Sequence, residues 1–260
     1  PAQFARFVPA PEMAAHAGHA STRSGIWFAQ ALALDPRRVC RQQLASPRIE
    51  VRFGSSVHRI ARDESGWHAV AHTGEAIASA PVMVVATACD SAALVPHLPL
   101  QRVRGQVSIL PWPAPAALRC PVSGESYALM LPDGRLLAGA TFQPDDPDER
   151  VRLEDHEINL SHLATAFPGL APYFAAPGSA IAAIEGRVGF RSVTPDRLPA
   201  VGPVAPGLHL CTGLGARGLC WAPLAAEWLA SAICHDPLPL PGTLGRALAA
   251  NRFAAKVVTA

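Results

Sequence analysis

The stretch from Leu208 to Ile233 constrains this 260-residue chain most. A short apolar run, Leu208–Thr212, leads into three glycines within the six residues Gly213–Gly218, and an apolar helical pattern follows from about Ala222 to Cys234. Glycine adopts positive φ without strain and lets a ligand approach the backbone closely. The N–H groups and the dipole at a helix start favour an anionic group. The pattern predicts either a strand–turn–helix ligand site or a tight structural turn.

A second segment, Gly186–Gly202, begins within the strand region predicted over Ile181–Ser192 and carries Arg191 near the end of that strand. An arginine at a strand end can hold a carboxylate through two parallel hydrogen bonds. From the residues alone, a structural ion pair to Asp196 or Glu185 is the alternative.

A third segment begins with the continuous apolar run Pro81–Ala86, which predicts a strand buried on both faces. The small residues that follow, Ala86–Cys89, leave room for a ligand to lie across the strand end. An ordinary core strand is the alternative.

Other patterns predict the surrounding elements. Asp35-Pro36 predicts a helix start, because aspartate caps helices and proline suits their first position. Arg37, Arg38 and Arg41 of that helix form either a solvated face or a contact for a polyanion. Residues 1–24 are expected to be irregular, with His16 and His19 as solvated histidines or, alternatively, a metal-binding pair. The remaining predictions are strands over Ile49–Phe53, Val57–Ile60, Gly66–Ala71 and Val103–Leu110, a hairpin of Tyr127–Leu131 and Arg135–Phe142 around Pro132–Gly134, and a helix over Leu153–Phe167.

Composition excludes several classes. Half of the residues are apolar and 16% are charged, so the chain is not of the disordered type. The longest apolar run, Ala80–Cys89, is too short for a membrane helix. Six scattered cysteines without C-x-x-C, and a start without a signal-peptide pattern, predict a reduced, cytoplasmic protein with no metal site. A net charge of +2 neither requires nor excludes a nucleic-acid partner. The motifs of zinc proteases, common serine hydrolases and P-loop NTPases are absent.

Taken together, the segments resemble the FAD-dependent amine oxidases of the D-amino-acid oxidase and glycine oxidase group, from about Gly25 to the C-terminus. The residues that carry the resemblance are Val103–Ser108, Tyr127–Pro132, Gly139–Phe142, Gly186–Gly202, Gly213–Leu224 and Asn251–Phe253. It implies an α/β fold: a partial FAD/NAD(P)-binding, glutathione-reductase-like fold with an inserted antiparallel β-sheet substrate domain of the α+β type. We expect an FAD-binding part over 1–99, the substrate domain over 100–183 and the rest of the FAD-binding domain over 184–260. The fold is expected to be incomplete, because the family's N-terminal strand with its G-x-G-x-x-G unit is missing at the front of these residues.

The resemblance also implies site residues, with FAD as the cofactor. Arg191 would bind the substrate carboxylate, and Tyr127 and Arg217 would line the substrate cavity. The implied FAD contacts are Val57, Ala86, Thr87, Ala88, Gly213, Leu214, Gly215, Ala216, Arg217, Gly218 and Leu219.

Within the group, the block Gly215–Cys220 is most similar to the oxidase part of a bifunctional tRNA-modifying enzyme. This similarity implies a tRNA substrate whose wobble uridine loses a carboxymethyl group by oxidation at the CH–NH bond, and a methyltransferase domain that is fused or missing. Two alternatives stay open: an oxidase of free glycine, sarcosine or D-amino acids, and a non-catalytic fragment of such an enzyme.

Overall fold

The computed structural model describes residues 3–112, 117–171 and 184–256. They form two compact units. The first unit comprises the residues up to Asp35 together with Arg104–Gly189, and the second comprises Pro36–Val103 together with the residues from Phe190 onward. Residues 1–99 were predicted to share one part of the fold, whereas the segment up to Asp35 clusters with the middle of the chain. Which unit holds cofactor and which holds substrate remains a prediction.

Short strands and helices of varied length make up both units. The strands are β1 Arg6–Val8, β2 Gly25–Trp27, β3 Arg59–Asp63, β4 Gly66–Val70, β5 Ala76–Ala80, β6 Met83–Val85, β7 Gln101–Pro111, β8 Val122–Ser123, β9 Tyr127–Met130, β10 Arg135–Gly139, β11 Gln143–Pro144, β12 Glu185–Val193, β13 Ala200–Ala205 and β14 Leu208–Thr212. The α-helices are α1 Ala10–Ala17, α2 Pro36–Gln43, α3 Ser91–Leu94, α4 Leu153–Ala166, α5 Gly218–Cys234 and α6 Gly242–Leu248. Short 3-10 helices cover Ala88–Asp90, Pro168–Leu170, Gly215–Arg217 and Ala250–Lys256.

The first unit is built on a sheet with the strand order β11-β7-β10-β9-β8, and β12 also pairs with β7. The predicted hairpin is confirmed: β9 and β10 pair antiparallel around a turn in which Gly134 has a φ of +83°. Helix α4 supplies Leu160 and Leu163 to the apolar core beside Leu136. Two acidic residues in its first turn suit the positive end of the helix dipole.

The second unit contains two three-stranded sheets. In one, β13 pairs antiparallel with β14, and β14 pairs parallel with β6, with Leu210 opposite Val85. The other is the antiparallel meander β3-β4-β5. Helix α5 buries Trp228 and Leu229 in a core that also contains Val201 of β13.

Three predictions of local structure are wrong. The alternating stretch Ile49–Phe53 forms no strand, and Phe53 is 89% exposed, because alternation alone supplies no neighbouring strand for the backbone. The run containing β6 is not buried on both faces, since Val82 and Val84 are each about 40% exposed at the edge of a three-stranded sheet. The segment expected to be irregular contains β1 and α1.

The mixed α/β class is confirmed, as are the helix that follows Asp35 and the strand before the glycine turn. Helix α5 begins four residues earlier than predicted, directly after the 3-10 turn that ends at Arg217. Within the described residues, no helix is both long enough and apolar enough to cross a bilayer.

Candidate functional site

The carboxyl ends of β6 and β14 meet at one edge of their sheet, because the two strands run parallel. The Thr212 hydroxyl donates to the carbonyl of Ala88 at 2.9 Å and accepts from the Ser91 hydroxyl at 3.3 Å. Ser91 therefore accepts from Thr87, at 3.2 Å. This hydroxyl chain joins the predicted residues Thr87 and Ala88 to the start of the glycine turn. The carboxyl edge of an open α/β sheet is where such folds bind ligands.

The glycine turn has the backbone that its sequence predicts. Gly213 and Gly215 have φ values of +70° and +58°, in the left-handed region. A Cβ at Gly213 would lie 2.7 Å from the Thr194 side chain, whereas at Gly215 the nearest atom would be 3.9 Å away, on Val193. The turn is therefore closed on the side of Gly213 and open at Gly215. It ends in the N-terminus of α5, whose first N–H groups have no partner within the helix.

The other predicted cofactor contacts differ in exposure. Leu214, Gly215 and Gly218 are half-buried, whereas Ala216, Arg217 and Leu219 are exposed, as are Ala86, Thr87 and Ala88. Val57 is half-buried just ahead of β3. Its assignment as a cofactor contact remains a prediction.

Arg191 lies on the strand that reaches this turn. Two residues beyond it, Val193 forms an antiparallel bridge with Leu214. The Arg191 side chain is half-buried. Each acid considered as its alternative partner has another guanidinium: Asp196 pairs with Arg252 at 2.8 Å, and Glu185 with Arg135 at 2.6 Å. The structure thus brings the strand of Arg191 to the glycine turn.

The Asp196–Arg252 pair fixes the backbone that follows β12. Arg252 donates to both carboxylate oxygens and also to the carbonyls of Leu198 and Pro199. These hydrogen bonds to Arg252 are the main reason that the pKa of Asp196 falls to about 2. The carboxylate therefore stays ionised at neutral pH. The ion pair then stabilises the backbone from Asp196 to Pro199, which follows β12.

Two cysteines lie near this edge of the sheet. Burial raises the pKa of the Cys89 thiol, which follows Ala88, and also that of Cys211 in β14. Both side chains therefore stay protonated at neutral pH, and a thiol is a poor nucleophile. Cys211 packs against the core that contains Val201 and Trp228.

Tyr127 belongs to the first unit, at the start of β9. It lines a cavity of about 490 Å³ together with Trp27 of β2, the following Phe28, Ser126, and Leu163 of α4. Among the predicted site residues, Tyr127 alone lies in the first unit and all the others lie in the second. Sequence reasoning missed Thr212, Ser91 and the cavity wall around Trp27. A hydroxyl residue directly before the glycine turn was the one available signal.

The two N-terminal histidines pack against aromatic rings. His16 stacks on Trp27 with ring centroids 3.8 Å apart, and His19 meets the edge of Trp112 at 5.2 Å. Among the described residues, no three His, Cys, Asp or Glu side chains cluster in a way that could hold a metal ion.

Comparison of the sequence with protein families gives a match to "DAO: FAD dependent oxidoreductase" over residues 2–232. A curated relative from Burkholderia orbicola (strain MC0-3) is 37% identical over 287 aligned residues, which cover 100% of this chain and 44% of the relative. A relative from Paraburkholderia phytofirmans is also 37% identical, over 97% of this chain and 42% of its own length. Both are named tRNA 5-methylaminomethyl-2-thiouridine biosynthesis bifunctional protein. The chain spans less than half the length of these relatives.

Solved structures with a similar fold are also oxidoreductases. Glycine oxidase from Geobacillus kaustophilus has a TM-score of 0.74 at 22% identity, over 91% of this chain and 65% of that one. L-proline dehydrogenase from P. horikoshii has a TM-score of 0.76 at 15% identity, over 97% and 69%. These likenesses support the fold, and the family match covers most of the sequence. The chain belongs to the DAO family of FAD-dependent oxidoreductases.

Proposed function

We propose that this protein oxidises the CH–NH bond of an N-alkylated glycine, and that its substrate is the 5-carboxymethylaminomethyl(-2-thio)uridine at the wobble position of tRNA. The similarity to the curated tRNA-modifying relatives supports the choice of substrate. The observation that carries the chemistry is the Val193–Leu214 bridge, which brings the strand of Arg191 to the glycine turn. We further propose that Arg217 and Tyr127 contact the substrate.

The residues at the sheet edge fit FAD. Ala86, Thr87 and Ala88 are small and exposed, and the space beside Gly215 is open. These residues, the turn Gly213–Leu219 and Val57 would hold the cofactor. The start of α5 would favour negative charge on the part of it that lies there. When bound, FAD supplies a two-electron acceptor for the substrate.

The proposed reaction cleaves the bond between the amine nitrogen and the glycine α-carbon of the modified uridine. The α-carbon loses a hydride and the amine nitrogen a proton, so a C=N bond forms. Water adds to its carbon, and the C–N bond then breaks to give aminomethyluridine and glyoxylate, with O₂ as the final oxidant. The guanidinium of Arg191 would bind the carboxylate in bidentate fashion and so fix the α-carbon.

Release of glyoxylate from tRNA carrying the modified uridine, measured with FAD added to the full chain, tests this proposal. We expect Arg191→Ala to lower kcat/KM about 30-fold or more, the range for removing one partner of a buried charge pair. FAD absorbance should be retained. Arg191→Lys should be little more active than Arg191→Ala, because lysine lacks the two parallel N–H donors of a guanidinium. The control is Arg187→Ala, an exposed arginine on the same strand, which should behave as the parent.

Three outcomes would contradict the proposal. Unchanged turnover in Arg191→Ala would remove Arg191 from the site. Hydrogen peroxide from free glycine or sarcosine, without glyoxylate from tRNA, would support an oxidase of free amino acids. A folded chain that acquires no flavin absorbance from added FAD would support a non-catalytic fragment.

A further inference from the structure

We infer that Ser79 is an activated nucleophile that accepts an acyl group from activated esters. Ser79, His68 and Asp63 lie on the antiparallel meander β3-β4-β5 of the second unit, one on each strand. They form a continuous series of hydrogen bonds from a hydroxyl through an imidazole to a carboxylate. A hydroxyl within hydrogen-bond reach of a base that a third group orients is the arrangement that activates serine.

The strand register places the three side chains on one face of the meander. His68 lies directly opposite Ser79 of β5 on one side and Ala61 of β3 on the other. Side chains of directly opposite residues point to the same face, with Cβ atoms about 5 Å apart. Asp63 follows Ala61 by two residues on β3, so its side chain points to that face as well. The three groups therefore meet within a single sheet of one unit.

Asp63 determines which nitrogen of the imidazole carries the proton. Its Oδ1 lies 2.9 Å from Nε2 of His68, and it also accepts from the backbone N–H and the hydroxyl of Ser65, at 2.8 and 2.7 Å. These hydrogen bonds, above all the one from His68, lower the pKa of the Asp63 carboxyl. An ionised carboxylate can only accept hydrogen bonds. In neutral His68 the proton is therefore on Nε2, and Nδ1 carries the lone pair.

The Ser79 hydroxyl contacts that lone pair. Its oxygen lies 2.7 Å from Nδ1 of His68, so the hydroxyl donates to this nitrogen, and the oxygen keeps its own lone pairs for a new bond. Ser79 is exposed, whereas the His68 side chain is only 18% exposed. A reagent from solvent can therefore reach the nucleophile, while the base beside it is held by its two hydrogen bonds.

The acyl transfer balances within the ester and two side chains. The Ser79 oxygen adds to the carbonyl carbon of the ester, and the hydroxyl proton passes to Nδ1 of His68. The bond from the carbonyl carbon to the alcohol oxygen then breaks, and the departing alcohol takes the proton from His68. The acyl group remains on Ser79 as a new ester. A small ester with a good leaving group suits this open sheet surface, because its alcohol departs without support from a cleft.

Incubation of the full chain with p-nitrophenyl acetate, followed by mass spectrometry of its peptides, tests the inference. We expect an acetyl group on Ser79 and release of one p-nitrophenolate for each acetyl group transferred. The chain contains one lysine, so acetylation of amines gives little background. The internal control is Ser46, an exposed serine whose hydroxyl accepts from the backbone N–H of Arg48, and it should stay unlabelled.

Variants separate the roles of the three residues. His68→Ala should lower the rate of acetylation at Ser79 about 100-fold, within the range that a general base contributes. Asp63→Asn should lower it about tenfold, because an amide no longer fixes the imidazole proton on Nε2. The matched control is Asp133→Asn, which changes an exposed aspartate in the β9–β10 turn and should react as the parent does.

The outcomes distinguish a nucleophile from a surface hydrogen-bond series. Labelling that is lost in Ser79→Ala and slowed in His68→Ala and Asp63→Asn supports the inference. An acetyl group on His68 that persists in Ser79→Ala makes the imidazole the nucleophile and overturns it. Equal labelling of Ser79 and Ser46, or none at Ser79, also overturns it. This last comparison uses the parent chain alone, so it holds even where a substitution unfolds the protein.

Discussion

Gly213 shows how one residue shapes the candidate site. Its φ of +70° is strained for any residue with a side chain, and the Cβ of an alanine would lie 2.7 Å from the Thr194 methyl group. Gly134, in the β9–β10 hairpin, has a similar φ of +83° but no atom within 4 Å of such a Cβ. Comparing an alanine substitution at each glycine therefore separates the cost of backbone strain from the cost of steric overlap.

Gly134→Ala should lower the free energy of unfolding by about 1 kcal/mol, the cost of the left-handed conformation alone. Gly213→Ala should lower it by about 2 kcal/mol or more, because overpacking against Thr194 adds to that strain. Urea denaturation of both variants measures the difference. Equal losses would mean that Thr194 moves aside freely and that the turn is not closed on this side.

A buried ion pair joins elements of the first unit. Arg104 of β7 is fully buried, and its guanidinium donates to Asp155 of α4 at 2.6 Å. It also donates to the side chains of Gln143 and Gln106 and to the carbonyls of Asp148 and Arg150. Gln106 lies on β7 itself, Gln143 on β11, Asp155 on α4, and Asp148 and Arg150 in the loop before α4. One side chain therefore fixes two strands, this loop and the helix together.

Arg104→Met should destabilise the chain by about 3–5 kcal/mol, because Asp155 would remain buried without its counter-ion. Adding Asp155→Leu should recover part of this loss, since the double variant leaves no unpaired charge. The control is Arg135→Gln, which breaks exposed pairs with Asp133 and Glu185 and should have little effect. If Arg104→Met in urea denaturation resembles Arg135→Gln, the network does not hold these elements together.

On the scale of the whole molecule, ion pairs make stability depend on pH. Arginine hydrogen bonds lower the pKa of Asp196 to about 2, and they also lower the pKa of Asp133 and Asp146. Each of these carboxyl groups titrates lower in the folded chain than in the unfolded one. The unfolded state therefore binds more protons in acid. The stabilisation is complete above about pH 4, the ordinary range of aspartate, and is lost as the pH falls towards 2.

Asp196→Asn should lower the melting temperature at pH 7, and its difference from the parent should shrink as the pH falls from 4 to 2. Near pH 2 about half of the parent carboxyl groups are protonated even in the folded chain, so the ion pair with Arg252 stabilises the parent much less there. Thermal unfolding followed across this range measures the effect, with the exposed Glu227→Gln on α5 as the control. A difference that is constant with pH would show that the Asp196 charge contributes nothing.

The sequence predicted those parts of the molecule that depend on neighbouring residues. Asp35-Pro36 starts α2, the turn at Gly134 joins β9 to β10, and the glycines after Thr212 reverse the chain before α5. In each case the signal is local: a capping side chain, a missing N–H or a permitted positive φ. The resemblance of longer segments to a flavin oxidase family was likewise readable, and the family match confirmed it.

Tertiary structure alone decided burial and partnership. The apolar pattern of Val82 and Val84 could not show that β6 lies at a sheet edge, and the pattern of Ile49–Phe53 could not show that no strand pairs with it. The hydroxyl chain to Thr212 and the alignment of Ser79 with His68 and Asp63 likewise depend on residues brought together by the fold. The identity of a residue determines which interactions its side chain can make, but distant parts of the chain determine its solvent exposure and its partners.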